Sequence, residues 1–287
     1  MIEASWALLL GGGALIGFLL AVLGAGGSIL LLPLLVSGTG LPTREAVPLS
    51  LIVVGLLALA NMPPYLRRGL FAPRPALVLG VPALAGSWIG GSLVKGGLIP
   101  EAMQLALFTL AAVVAAWLLT RRGSLVDAAL NPERPGRVGP LALQGVVVGL
   151  LTGIAGVGGG FAIVPALVLL AGLPMAMASG TSLLLIATNA LVALLALGHW
   201  PSTVLPLLIP LLLGGAAGAR VGQWLAPHLP ELRLRQGFSL LLLGSALLTG
   251  VEAWRRQSPQ PAAAQRAPAL GHSPSAAIPP SLRRLSP

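Results

Sequence analysis

Residues 17–33 read GFLLAVLGAGGSILLLP, and residues 149–165 read GLLTGIAGVGGGFAIVP. Gly17, Gly24, Gly26, Gly27 and Pro33 recur as Gly149, Gly156, Gly158, Gly159 and Pro165, each 132 positions later. At the same offset Leu41-Pro42 falls on Leu173-Pro174, and Ser50-Leu51 on Ser182-Leu183. Further on the offset narrows: Gly86 and Gly90 match Gly214 and Gly218, and Pro100-Glu101 and Phe108 match Pro230-Glu231 and Phe238. So many paired residues at one spacing mark an internal duplication.

Each quoted stretch lies inside an apolar block. Eight such blocks run over about 5–37, 46–65, 75–96, 101–120, 139–171, 176–198, 203–226 and 231–251. A helix crosses the hydrocarbon in about 20 residues. Six blocks fit that length, whereas the first and fifth overrun it and carry a glycine cluster mid-way. Of 287 residues, 56% are hydrophobic and 8% charged, with a mean hydropathy of +0.93. Soluble domains carry about a quarter of their residues as charges, so lipid is the solvent here. The expected fold is an all-α polytopic membrane protein of eight transmembrane helices. They form two four-helix repeats, 1–120 and 139–251, with the first helix of each broken at its glycines. The polar gap 121–138 reads as a cytoplasmic loop, and the basic, Pro/Ala-rich 252–287 as a disordered tail.

The net charge of +10 does not point to nucleic acid, because the arginines fall in the gaps and the tail. With eight single crossings, Arg67, Arg68, Arg74, Arg121, Arg122, Arg134, Arg137, Arg255, Arg256 and Arg266 share one side. Arg44, Lys95, Arg220, Arg233 and Arg235 share the other. The positive-inside rule then sets both termini in the cytoplasm of a bacterial inner-membrane protein. Four crossings per repeat would give the halves one orientation, about an axis along the membrane normal. Were the glycine-broken segments to turn back instead, the loop arginines would lie opposite the tail. Trp6, Trp88, Trp117, Trp200, Trp224 and Trp254 mostly fall near segment ends, as an aromatic belt does.

The glycine clusters supply the first candidate site. Glycine admits left-handed dihedrals, so 24–33 and 156–165 break their helices. Within a bilayer the freed N–H groups must face protein or water. A helix restarting at Ser28 or Gly160 turns a partly positive end inward, which suits an anion. The candidate substrate-binding residues are Gly24, Gly26, Gly27, Ser28 and Pro33, with Gly156, Gly158, Gly159, Gly160 and Pro165. The competing role for such glycines is close helix packing.

A second constellation is SGTS (179–182) with Asn189, together with Ser50 and Asn61 in the first half. The Ser50, Thr181 and Ser182 hydroxyls can hydrogen-bond an oxyanion, although helical hydroxyls often bond back to their own backbone. The Asn61 and Asn189 amides are expensive in lipid and so face a partner or a pathway. All seven acids (Glu3, Glu45, Glu101, Asp127, Glu133, Glu231 and Glu252) lie at segment ends or in gaps. A cation carrier usually needs a carboxylate within the membrane, so the expected substrate is a small anion. Arg220 reads as an interfacial snorkelling side chain or an anion-attracting charge at a pathway mouth, and His199 and His228 as interfacial. There is no cysteine and no GxxxxGK[ST]. Disulfides, thiolate metal sites and a self-contained ATP-driven pump are excluded, and no cofactor is expected.

On these residues the chain resembles the TauE/SafE family, the sulfite exporter-like membrane transporters. The resemblance rests on the duplicated GxGGxxxxxP-type segment, the downstream SGTSL (179–183) and the four-plus-four layout, and covers about 5–251. It implies movement of a small anion such as sulfite, a sulfonate or another organic acid across the inner membrane. The first half departs from the pattern. It has AVPLSL (46–51) against ASGTSL (178–183), so Pro48 stands for Gly180 and Leu49 for Thr181. The expected function is secondary transport by alternating access, with the site at the two broken helices. Alternatives are an anion channel, or a membrane-embedded enzyme or accessory factor. The expected partners are the anion and the lipid bilayer; the oligomeric state is open.

Overall fold

The computed structural model describes residues 2–121, 138–155 and 160–257, and every regular element among them is helical. Ten α-helices lie among the described residues: α1 (Ile2–Leu23), α2 (Gly26–Pro33), α3 (Thr43–Arg67), α4 (Pro73–Lys95), α5 (Glu101–Arg121), α6 (Val138–Ala155), α7 (Gly160–Leu169), α8 (Met175–Leu197), α9 (Leu208–Leu225) and α10 (Glu231–Gln257). Five of the described stretches, Trp6–Leu23, Thr43–Arg67, Pro73–Lys95, Met175–Leu197 and Val204–His228, are long and apolar enough to cross a membrane. The outer surface is greasy: Leu77, Leu195, Leu240 and Leu247 are all exposed. Trp6, Trp88, Trp117, Trp200 and Trp224 are exposed as well. This is a polytopic membrane protein. The helical part of the expected tail reaches Gln257; residues 258–287 and the gap 122–137 lie outside the described residues.

The first overlong block does not run on as one crossing. At Gly24 the backbone turns left-handed, with φ +74°, and α2 then runs back along α1. A methyl group on Gly27 would collide with the Ile16 carbonyl, and Gly12 lies against the Leu34 side chain. Gly38 sits 3.3 Å, from the position of an added Cβ, to the Leu8 side chain. Residues 27, 34 and 38 thus meet 16, 12 and 8, an antiparallel hairpin. At 1.5 Å per residue, 16 and 27 in a continuous helix would be about 16 Å apart. Pro33 lacks an amide N–H, and the chain beyond it loosens into a π-helical turn, Leu34–Gly38.

This hairpin sets the directions of the helices. Gly13, Gly17 and Phe18 pack on Leu211, Gly215 and Gly222, so α1 and α9 run parallel. Gly145, Gly149 and Gly153 pack on Leu79, Ala83 and Ser87, so α6 and α4 run parallel. In both pairs glycine brings backbone against backbone, as small residues do between membrane helices. Glu45 meets His199, Gly55 meets Ala190, and Tyr65 meets Gly180, so α3 and α8 are antiparallel. One end of the bundle therefore carries the ends of α1, α3 and α9 and the starts of α4 and α8. The other carries the starts of α1 and α3, the ends of α4 and α8 and, following the chain, the end of α10.

Two expectations are corrected here. The first is register. Gly86 packs on Val146 and Gly218 on Ala14, while Gly90 packs on Leu150 and Gly222 on Phe18. Gly86 and Gly90 therefore correspond to Gly218 and Gly222 at the unchanged offset of 132, not to Gly214 and Gly218. The second is orientation. The extra reversal at Gly24 means that α5 finishes at the end opposite the start of α1, and α6 sets out from there. The halves are thus inverted, not parallel. Arg67, Arg68, Arg74, Arg220 and Arg233 all fall at the end away from the start of α1, and Arg44 and Lys95 at the near end.

Candidate functional site

Where α1 stops, its last carbonyls lose their helical partners. Residues from two other helices take them. Tyr65 Oη on α3 donates to the Ala21 carbonyl at 2.6 Å. From α8, Ser179 Oγ donates to Leu23 at 3.0 Å, and Ser182 Oγ lies 3.0 Å from the Gly24 carbonyl and 2.7 Å from that of Ser179. Gly24 is buried, and a methyl group there would overlap the Ser179 backbone. Gly180 gives the same close approach to Leu70 and Tyr65. Thr181 Oγ1 donates to Met177 at 2.8 Å and accepts from the Ala72 N–H at 3.0 Å. SGTS is thus a clamp on the end of α1 and on the turn into α4.

The other residues expected at a site divide in the same way. Ser50 donates to the Val47 carbonyl at 2.8 Å. Asn61 is fully buried, with Nδ2 donating to Leu57 at 2.8 Å and Oδ1 accepting from Gln223 Nε2 at 2.9 Å. Gly26 opens α2, and Gly27 serves close packing against α1. Ser28 lies in the first turn of α2, whose N-cap Ala25 brings no side-chain cap. Pro33 and Pro165 are buried inside α2 and α7. Gly160 is buried at the start of α7. Gly156, Gly158 and Gly159 lie outside the described residues.

Asn189 differs from all of these. It is fully buried in the middle of α8, and neither Nδ2 nor Oδ1 has a partner among the described residues. Ser87 on α4, which sequence reasoning passed over, is also fully buried with its hydroxyl unpartnered. Gly80 and Gly91 touch Leu185 and Ala196, so α4 and α8 run side by side and Ser87 and Asn189 lie at nearly the same level. Ser87 is seven residues from Gly80 and Asn189 four from Leu185, which keeps both on the contacting faces. The Ser87 carbonyl also abuts Gly153 of α6, just before the second glycine cluster. A duplicated pattern could not mark Ser87, because its counterpart 132 positions on is Ala219.

The site is neutral. Among the described residues the fully or nearly fully buried polar side chains are hydroxyls and amides, with no acid, lysine, arginine or histidine. No group of histidines, cysteines or acids there could hold a metal ion. An unpaired amide and hydroxyl in such surroundings offer donors to an oxygen-rich guest.

Comparison with known proteins gives a consistent picture. The family model described as "Sulfite exporter TauE/SafE" matches residues 9–249. The chain is 30% identical over 252 residues to a probable membrane transporter protein of Xylella fastidiosa strain 9a5c, covering 85% of this chain and 95% of the relative. The corresponding protein of strain Temecula1 matches to the same extent. No solved structure matches.

Proposed function

The chain belongs to the sulfite exporter TauE/SafE family, and on that basis we propose that it is a secondary transporter of a small oxyanion across the inner membrane. Sulfite, an organosulfonate or a related organic acid is the substrate class. The observation that carries the reading is that the Asn189 amide and the Ser87 hydroxyl, on the packed helices α8 and α4, are both buried with no partner among the described residues. Leaving a buried polar group unpaired costs about 1–3 kcal/mol. A carrier keeps such a group because its passenger pairs it. Neutral donors suit an oxyanion that must also be released, whereas a buried arginine would hold it more tightly. The N-terminal end of α7, which starts at Gly160, carries a partial positive charge that also suits an anion.

Eight helices, α1, α3 to α6 and α8 to α10, are the crossings in this reading, with α2 and α7 as re-entrant half-helices that touch inside the bundle. The parallel pairs α1–α9 and α4–α6 are the two arms of an inverted repeat, and alternating access is the rocking of one arm against the other. The arginine-rich end is cytoplasmic by the positive-inside rule. The start of α1 and the end of α10 then face outward, opposite to the orientation that eight simple crossings implied. The complete burial of Asn189 and Ser87 supports a carrier over an open channel. Nothing in the site supplies a nucleophile and base, which favours transport over catalysis.

The test is flux in proteoliposomes over a panel of sulfite, sulfate, sulfoacetate and short carboxylates. Saturable flux of at least one anion is expected, falling at least a hundredfold in Asn189→Leu with no loss of thermal stability. Absence of flux across the panel under every gradient would remove the reading. Orientation is checked separately with single cysteines at Arg68 and Lys95, since the chain has no cysteine of its own. An impermeant thiol reagent outside intact cells should label the Lys95 position only.

A further inference from the structure

At the bundle end that carries the start of α1, the helices α3, α4, α5 and α8 surround a cavity of about 480 Å³. Arg44 enters from the first turn of α3, Lys95 from the last residue of α4, Gln104 from the first turn of α5, and His199 from just beyond α8. Among the described side chains its walls hold two permanent cations and no carboxylate. Glu45, next to Arg44, is paired with the wall residue His199: its Oε1 lies 2.9 Å from His199 Nε2, and its other oxygen is buried. Gln104 is neutral and donates to the Ile99 carbonyl at 3.1 Å. Lys95 reaches across to α8, with Nζ 3.1 Å from where a Cβ on Gly198 would stand.

The position of this cavity matters as much as its charge. Ser87 lies eight residues before Lys95 on α4, and Asn189 eight residues before Leu197, another wall residue, on α8. At 1.5 Å per residue both lie about 12 Å deeper, along the same two helices. The cavity and the unpartnered pair thus share the same two helices at different depths.

We propose that this cavity is a binding vestibule for a small oxyanion, held by Arg44 and Lys95, from which the anion passes to or from Asn189 and Ser87. The assignment of an anion passing deeper rests on the transport reading above. The binding site itself does not. One guanidinium and one ammonium around a single cavity raise the local anion concentration, and cation-to-oxyanion hydrogen bonds are stronger than neutral ones. Arg44 and Lys95 could equally take the phosphate of an anionic lipid headgroup, and the experiment separates the two sources.

Sulfite and sulfate binding is measured calorimetrically on the full chain in phosphatidylcholine nanodiscs, which hold no anionic lipid. The wild type should bind one of the two anions. The double variant Arg44→Gln/Lys95→Gln should bind at least tenfold more weakly, Arg44→Lys/Lys95→Arg should restore binding, and Asn189→Leu should retain it. Equal binding by the wild type and the double variant, or no binding by the wild type, overturns the proposal. So does native mass spectrometry from phosphatidylglycerol nanodiscs if Arg44 and Lys95 retain a lipid that neither anion displaces. Flux distinguishes the two readings. Binding through Arg44 and Lys95 without any flux leaves the vestibule standing and removes transport. Flux that depends on Asn189 but is unchanged in the double variant removes the vestibule alone.

Discussion

The end of α1 and the neighbourhood of Gly153 on α6 derive from the same duplicated stretch, yet their polar surroundings differ. At the first break, Tyr65, Ser179 and Ser182 occupy the carbonyls of Ala21, Leu23 and Gly24. Ser87, beside Gly153, and Asn189 on α8 have no partner among the described residues. The first region is a closed joint, whereas the second keeps two side chains unpaired. The difference traces to a few letters. Gly180 admits Tyr65 and the Leu70 carbonyl to the face of α8, whereas the equivalent position on α3 is Pro48. Asn189 has Leu57 as its counterpart and Ser87 has Ala219. After duplication one scaffold position could specialise in rigidity while another became free to bind.

Gly24→Ala should break the closed joint most severely. The residue sits at φ +74°, where a side chain is strained by about 1–2 kcal/mol. Its new methyl group would also meet the Ser179 backbone, and overpacking of that kind costs about 1–3 kcal/mol more. A loss of about 3 kcal/mol should appear as a large drop in the detergent melting temperature. A variant melting with the wild type would mean that the joint is not rigid.

Ser179→Ala/Ser182→Ala comes next. It strands the Leu23 and Gly24 carbonyls, at about 1 kcal/mol each, so the melting temperature should fall while KM for the transported anion stays put. A tenfold rise in KM would show that these hydroxyls touch the substrate, and the contrast between the regions would fail. Ser87→Ala should do the reverse. Losing one donor to a bound anion is worth about 1–1.5 kcal/mol, roughly a tenfold rise in KM, with melting unchanged or slightly higher.

The sequence carries part of this and hides the rest for physical reasons. Composition and block length suffice for a helical membrane protein, because lipid forbids unpaired backbone. The repeat of Gly24 to Pro33 as Gly156 to Pro165 locates both breaks, and Gly24 does adopt the left-handed backbone. The direction taken after the break is not in those letters. A glycine cluster allows a helix to resume forward or to fold back, and contacts such as Gly27 with Ile16 decide it. That one reversal then inverts the second half and moves the arginines to the opposite end. Hydroxyl roles are similarly non-local. Ser179 and Ser182 look available in sequence, but Ser179 donates to Leu23 and Ser182 is shared between Ser179 and Gly24, and Leu23 and Gly24 lie more than 150 residues away. Ser87 looks like an ordinary small residue between glycines, and only its burial without a partner marks it.

Asn61 provides the smallest effect and the closest control for Asn189. Both are fully buried amides on the antiparallel pair α3 and α8, so lipid exposure and helix propensity are matched. They differ in pairing: Asn61 donates to Leu57 and accepts from Gln223. Interhelical side-chain hydrogen bonds in membrane proteins average about 0.6 kcal/mol. A double-mutant cycle of Asn61→Leu with Gln223→Leu should return a coupling of about that size, measured by reversible unfolding, with flux near wild type throughout. The cycle is informative because Gln223→Leu alone leaves the Asn61 oxygen unpaired, placing it in part of the state that Asn189 occupies natively. If that single variant gained an altered anion preference, a buried unpaired amide would be enough to recruit an anion in this bundle. If it only lost stability, recruitment would also need what surrounds Asn189: the Ser87 hydroxyl, the close approach of Gly153, and the cationic cavity above them.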